Sequence, residues 1–236
     1  IATGGTGGHV FPAYSLANYL INQNYNVKLT TDNRGYRYLK NYKKLNLIKI
    51  PSYPFIKNNI FKLLLFFIIN SFSICKALSF LLFNRPSIVF GMGGYSSFPI
   101  CLAASILRIK IIIYENNLII GKANKYLLPF VKKIFVSYKE LEGIPYKYNK
   151  KIIEVGNLIR QDIINLKIAD PPVKLDDIRI LVVGGSQAAK VFADKLPQIF
   201  EKLKNSEVPI KVYQQCQNKQ NDQLSEFYKK AKINYE

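Results

Sequence analysis

Gly4-Gly5-Thr6-Gly7-Gly8-His9 places four glycines directly before the single histidine of the chain. Glycines admit positive φ and let a ligand approach the main chain closely. The apolar-periodic run from Val10 to Ile21 that follows predicts a helix, so the turn sits at a helix N-terminus, where free N–H groups and the positive end of the dipole suit a phosphate or another electron-rich group. The alternative is a tight strand-to-helix turn and nothing more, although four glycines in five residues exceed what a turn needs. Gly91-Met92-Gly93-Gly94-Tyr95-Ser96-Ser97 and Gly184-Gly185-Ser186-Gln187-Ala188-Ala189 form two further glycine loops, each after a β-rich run. Three such loops point to a nucleotide or phosphate ligand held between two domains. None is a P-loop, because no Gly-Lys-Ser/Thr follows at the required spacing, and none is a complete GxGxxG fingerprint. With one histidine, Ser/His/Asp and Cys/His arrangements and a histidine-rich metal site are all unsupported.

The elements that must position these loops read as alternating strands and helices. Pro12 fits the first turn of the opening helix. Strands are predicted at 25–31, 45–50, 87–90, 110–114, 133–137 and 152–155, and helices at 98–107 and 121–130. Strands rich in Ile and Val, interleaved with helices, indicate a doubly wound parallel sheet that binds ligands at the carboxyl ends of its strands. Residues 165–177 turn polar and carry Pro171-Pro172, a linker signal. Beyond them the pattern restarts with a strand at 178–183, a helix to about Leu203, a strand at 208–213 and a helix at 222–231. Two strands and two helices are too few to bury a doubly wound sheet on both faces, so this second domain is expected to be incomplete.

At 236 residues the chain suffices for one large domain and part of another, and its start on Ile1 in mid-strand is not where a native N-terminus is expected. A net charge of +19 predicts attraction to polyanions such as anionic lipid or phosphorylated substrates, and a bias toward Lys, Asn, Ile and Tyr is the other source of that excess. No RNP-like aromatic motif or basic helix accompanies the charge, so no nucleic-acid partner is expected. Cys75 and Cys101 lie in apolar surroundings and read as small core residues of a reducing compartment, and no secretory signal is visible. Ile60 to Phe83 is the most apolar stretch. Lys62, Lys76, Asn70, Ser71 and Ser73 interrupt it, which disfavours a full membrane span. Two readings stay open: a helix lying in the membrane interface, flanked by Lys57, Lys62, Lys76 and Arg85, or a helix buried against the sheet.

Gly4-Gly5-Thr6-Gly7-Gly8-His9-Val10-Phe11-Pro12, Gly91-Met92-Gly93-Gly94-Tyr95, Tyr114-Glu115-Asn116-Asn117, Gly156-Asn157-Leu158-Ile159-Arg160 and Val182-Val183-Gly184-Gly185-Ser186-Gln187 together resemble, in order and spacing, the MurG family of bacterial glycosyltransferases. The resemblance runs along essentially the whole chain. It implies an α/β fold of GT-B type with two Rossmann-like parallel-sheet domains: an acceptor-binding domain at 1–164, a linker at 165–177, and the first part of a UDP-sugar domain at 178–236, with the active site between the domains. It implies inverting transfer of N-acetylglucosamine from UDP-GlcNAc onto lipid I (undecaprenyl-pyrophosphoryl-MurNAc-pentapeptide) to give lipid II, at the cytoplasmic face of the inner membrane, with no cofactor or metal. By matching position, Thr6, Gly7, Gly8, Asn117, Arg160 and Ser186 would contact the donor. His9 and the loop of Gly91, Gly93, Gly94 and Tyr95 would face the acceptor. An inverting transfer needs a base for the attacking hydroxyl, which His9 or Glu115 would supply. It also needs stabilisation of the departing diphosphate, which Arg160 and the amides around Ser186 would supply.

The sequence departs from the family pattern at three places. Tyr114 stands where the family usually shows His and Asn116 where it shows Gln, so the polar contacts of that loop are expected to differ. Ala188 replaces a usual glycine and would crowd the diphosphate. The family's uridine- and sugar-recognition segments would lie beyond Glu236, so a product ending there is expected to bind donor weakly and not to turn over. The alternative is then a non-catalytic remnant that binds anionic membranes.

Overall fold

A computed structural model describes residues 1–42, 44–55, 59–166, 177–184 and 188–236, with Ala188 and Ala189 described by backbone alone. Most of the expected linker, and Lys57 among the expected basic flanks, lie outside the described residues. The chain divides into two compact units, Ile1–Leu166 and Lys167–Glu236.

In the first unit the strands are β1 (Lys28–Thr31), β2 (Asn46–Lys49), β3 (Ile88–Gly91), β4 (Lys110–Glu115), β5 (Lys133–Val136) and β6 (Ile152–Glu154), all paired in parallel. Ala2 bridges Thr30 of β1 on one side and Gly91 of β3 on the other. Its segment therefore runs between them, and the spatial order is β2-β1-Ala2-β3-β4-β5-β6. The chain winds outward from Ala2 to β2 and then returns to the other side at β3. The loops after Ala2 and after β3 thus leave the sheet at the topological switch point, where open α/β sheets bind ligands.

Helices α1 (Gly7–Asn22), α2 (Asn33–Leu39), α3 (Ile60–Phe83), α4 (Phe98–Ile106), α5 (Lys122–Leu127) and α6 (Gln161–Ile164) connect the strands. One core gathers Ala77, Leu81, Ala104, Ile111, Ile113, Leu127 and Ile134; a second gathers Val10, Ala13, Ala17, Leu29, Leu39, Met92 and Tyr114. Both faces of the sheet are covered, as continuous Ile and Val runs require. Several boundaries differ from the sequence reading. α1 begins three residues early, so Pro12 lies inside the helix and not in its first turn. Asn24, at φ +63°, ends α1 in the left-handed conformation while the Tyr25 amide donates to the Leu20 carbonyl, so Tyr25 belongs to a helix exit and not to β1. α5 stops before Pro129, which has no N–H to continue it. α2 went unforeseen.

The helix α3 bears on the buried reading of the apolar stretch, because its packing face is the polar one. Its inward face is Asn70, Ser73, Ala77 and Leu81, packed toward α4. The Asn70 amide donates to the carbonyls of Tyr53 (3.1 Å) and Phe66 (2.7 Å), and the Ser73 hydroxyl to that of Ile69 (2.7 Å). The outward face carries Phe61, Leu64, Phe67, Ile68, Phe72 and Phe83, with Phe61 76% and Phe83 88% exposed. A buried helix is therefore excluded for most of its length. Its 24 residues, about 36 Å at 1.5 Å per residue, are enough by length and composition to cross a bilayer. Length therefore does not argue against a span as the interrupted pattern did. Cys75 also lies on the exposed side, contrary to its reading as a core residue, whereas Cys101 is buried.

The second unit pairs β7 (Ile178–Val182), β8 (Ile210–Gln214) and β9 (Asn234–Tyr235) in parallel, in that order, with α7 (Ala188–Asn205) and α8 (Asn218–Lys230). β9 adds a third strand to the two expected. Val182, Phe200, Val212, Leu224, Tyr228 and Ile233 form its core, while Ile178 and Leu181 stay exposed on β7.

Candidate active site

The first glycine loop is shorter than its sequence suggests, because Gly7, Gly8 and His9 already form the first turn of α1. Thr6 is the extended residue before the helix and makes no side-chain cap. His9 and Val10 donate to the Thr6 carbonyl, while the amides of Thr6, Gly7 and Gly8 have no partner among the described residues. Three N–H groups are thus free at the positive end of a 16-residue helix. The Thr3 hydroxyl, donating to the His9 carbonyl at 2.8 Å, ties the loop across its base. Pro12 cannot donate to the Gly8 carbonyl four residues earlier; the Asn116 amide does so instead, at 3.1 Å. The residue that departs from the family's usual Gln therefore links the β4 loop to α1.

The first and second glycine loops meet at His9. Gly93 and Gly94 both have positive φ, +81° and +74°, and the imidazole lies against them. A Cβ at Gly93 would fall 3.1 Å from His9 Cε1, and one at Gly94 would fall 3.2 Å from Cδ2. Glycine is needed here twice over, for backbone conformation and for room. Burial lowers the pKa of His9 below the ordinary 6.5, against the opposing pull of the Glu115 carboxylate and the Met92 backbone. Nδ1 of His9 is buried and has no hydrogen-bond partner among the described residues. Gly91 is the last residue of β3, packed so closely on Cys101 that a Cβ would lie 2.7 Å from its sulfur. Tyr95 is half-buried further along the loop, where its carbonyl accepts from the Phe98 amide at the start of α4.

Glu115 ends β4 and is buried. One carboxylate oxygen accepts from the backbone and side-chain amides of Asn117 (3.2 and 2.7 Å), and the other from the Gly121 amide (2.9 Å) and the Asn124 side chain (3.0 Å). Four donors organise the loop between β4 and α5 around one carboxylate. Asn117 is exposed, Asn124 buried. Tyr114 supplies what the departure from His left open: its hydroxyl pairs with the Ser137 hydroxyl (2.7 Å), donates to the Gly156 carbonyl (3.1 Å) and accepts from the Leu158 amide (3.3 Å). It thereby pins the segment leading to Arg160. The guanidinium of Arg160 lies over the Phe11 ring, 4.7 Å from its centroid, and 3.7 Å from Asp162. Phe11 in turn lies beneath Gly7, so Arg160 stands beside the first turn of α1.

Within the first unit the structure thus brings together Thr6, Gly7, Gly8, His9, Gly93, Gly94, Glu115, Asn117 and Arg160. Ser186 lies outside the described residues, as does the side chain of Ala188. Asp32, Arg34 and Asn124 escaped the sequence reading. Asp32 is buried at the end of β1, and its carboxylate accepts from the Gly5 amide (3.0 Å) and the Gly35 amide (2.8 Å), which caps α2. These bonds hold its pKa below the usual carboxylate value although burial pulls the other way. The Asp-x-x-Gly spacing after a strand was the available signal. Among the described residues no cluster of three or more His, Cys, Asp or Glu side chains is placed to hold a metal ion.

Residues 1–136 match the glycosyltransferase family 28 N-terminal domain and residues 179–236 match the C-terminal domain of the same family. The chain is 36% identical over its full length to the UDP-N-acetylglucosamine–N-acetylmuramyl-(pentapeptide) pyrophosphoryl-undecaprenol N-acetylglucosamine transferase of Pelagibacter ubique, covering 65% of that protein. It is 33% identical to the enzyme of the same name from Rickettsia canadensis, again over its full length, covering 66%. The crystal structure of MurG from Acinetobacter baumannii superposes with a TM-score of 0.70 at 26% identity, over 99% of this chain and 63% of that one. The chain thus spans about two thirds of the length of these relatives.

Proposed function

The chain belongs to glycosyltransferase family 28, in its MurG group, and from that premise we propose that the protein carrying it transfers N-acetylglucosamine from UDP-GlcNAc to lipid I. The observation that carries the reading is the junction of the first two glycine loops. A half-buried imidazole lies on Gly93 and Gly94, one residue past three free amides at the start of α1. In the reaction the acceptor hydroxyl attacks C1 of the sugar, its proton passes to His9, and the C1–O bond to UDP breaks with inversion. A neutral imidazole suits that role, and the depressed pKa of His9 keeps it neutral at pH 7. The free amides of Thr6, Gly7 and Gly8, with Arg160 beside them, offer hydrogen bonds and positive charge to the donor diphosphate as it leaves. We assign Glu115 to bracing the loop that carries Asn117, since both of its oxygens are occupied. Ser186 retains the donor role that the resemblance implies.

Purified protein carrying this chain is expected to be stabilised by UDP-GlcNAc, by about 2.7 kcal/mol at a hundredfold excess over Kd, and to move labelled sugar onto a lipid I analogue. Neither stabilisation nor transfer would leave the reading without support.

The same reading places the protein on the cytoplasmic face of the inner membrane through α3. Supporting it are the exposed phenylalanines and leucines of that helix and the exposed cations Lys62, Lys76 and Arg85. Each basic residue near an anionic surface contributes about 1 kcal/mol. Sedimentation with anionic liposomes is expected to exceed that with neutral ones, to weaken at high salt, and to fall when Phe67 and Phe72 are both replaced by Asp. Equal sedimentation of parent and variant would reject α3 as the contact.

A further inference from the structure

We propose that Arg34 is an anion-binding residue of the first glycine loop, taking a phosphoryl oxygen of a diphosphate that reaches the chain at Gly5. Arg34 is the second residue of α2, and Asp32 before it holds two things at once. One oxygen of Asp32 accepts from the Gly5 amide, and the other accepts from Nε of Arg34 at 3.1 Å. A single buried carboxylate therefore fixes both the loop backbone and the base of the guanidinium. Nη2 of Arg34 then leans over the loop, 3.7 Å from where a Cβ on Gly5 would sit, and among the described residues other than its chain neighbours no other side chain would come within 4 Å of that Cβ.

Nε is the one guanidinium nitrogen of Arg34 with a partner among the described residues; the terminal N–H groups point to no acceptor, and 53% of the side chain is exposed. A guanidinium anchored through Nε presents its outer edge as a planar fork matched to phosphate oxygens. The negative charge of Asp32 does not cancel this offer, because that carboxylate is already shared among the amides of Gly5 and Gly35 and the hydroxyl of Ser52. Gly5 itself, at φ +80°, keeps the loop free of a side chain on this flank. The next residues are Thr6, Gly7 and Gly8 with their free amides, so Arg34 and Arg160 are two separate cations along one loop, Arg34 beside Gly5 and Arg160 over Phe11.

That the anion is a diphosphate rests on the transferase reading, in which donor and acceptor both carry one. Titration calorimetry with inorganic pyrophosphate on this chain tests Arg34 independently of turnover. Arg34→Gln is expected to weaken pyrophosphate binding at least fivefold and Arg34→Lys by less, with thermal melting of each variant as the folding control. If Arg34 only braces Asp32, Arg34→Gln lowers the melting temperature and leaves pyrophosphate affinity unchanged, which overturns the proposal. In transfer assays a raised KM for the lipid I analogue assigns the anion to the acceptor, and a raised KM for UDP-GlcNAc assigns it to the donor. Unchanged KM for both overturns it. A protein that transfers nothing sinks the transferase reading, while the calorimetry still decides Arg34.

Discussion

Replacing His9 by alanine is expected to slow transfer by about 10²–10⁴-fold, the usual contribution of a positioned general base, with little change in KM for UDP-GlcNAc. The ring touches Gly93 and Gly94, and the donor contacts proposed for Thr6, Gly7 and Gly8 are backbone amides that survive the substitution. Loss confined to kcat is the signature of an interaction made in the transition state. The pH profile supplies the second readout. Burial lowers the pKa of His9 beneath 6.5, so the acid limb of kcat/KM is expected below pH 6.5, and a limb at or above that value would count against His9 as the base. The same shift has a sign for stability. A base whose folded pKa is depressed is protonated first in the unfolded chain, so its stabilisation is intact above about pH 6.5. It is lost as pH falls from there to the folded pKa. His9→Ala should flatten that part of the stability curve.

The order of elements was largely legible, because glycine loops at strand ends are local signals and parallel β/α alternation repeats them. What escaped was set by partners far along the chain. Asp32 reaches back 27 residues to the Gly5 amide, and nothing at either position announces the other. The start of α1 moved because Gly7 and Gly8 are poor helix formers by propensity, yet the Asn116 side chain, 108 residues away, takes the carbonyl that Pro12 leaves unpaired. In α3 the polar residues looked like interruptions of an apolar surface. They are the packing face: Asn70 and Ser73 satisfy themselves on nearby carbonyls, which lets them be buried, and the apolar residues are left outside. Hydropathy reports how much apolar surface a helix has, not which side of it meets protein. Glu115 was visible as a candidate base at the end of a strand, but its role depends on where four donors converge, which spacing alone does not say.

Glu115→Ala is expected to cost about 2–4 kcal/mol of stability, read as a lower urea midpoint at unchanged m-value. Removing the carboxylate strands the Gly121 amide and leaves the buried Asn124 amide only the Tyr114 carbonyl, while exposed Asn117 can turn to water. Glu115→Gln is the sharper experiment. Its one remaining oxygen can serve the Asn117 pair or the Gly121–Asn124 pair, and its amide then faces donors on the other side. A brace therefore predicts that Gln is nearly as destabilising as Ala. A catalytic role would add transfer slower by about a hundredfold or more in the variant that stays folded, so stability and rate together separate a brace from a base. The substitution also removes the negative charge that raises the pKa of His9. In whatever activity Glu115→Gln retains, the acid limb should move to still lower pH, because an imidazole without that neighbour holds its proton less tightly. A limb that stays in place would mean that His9 does not feel Glu115, and that the two loops act independently.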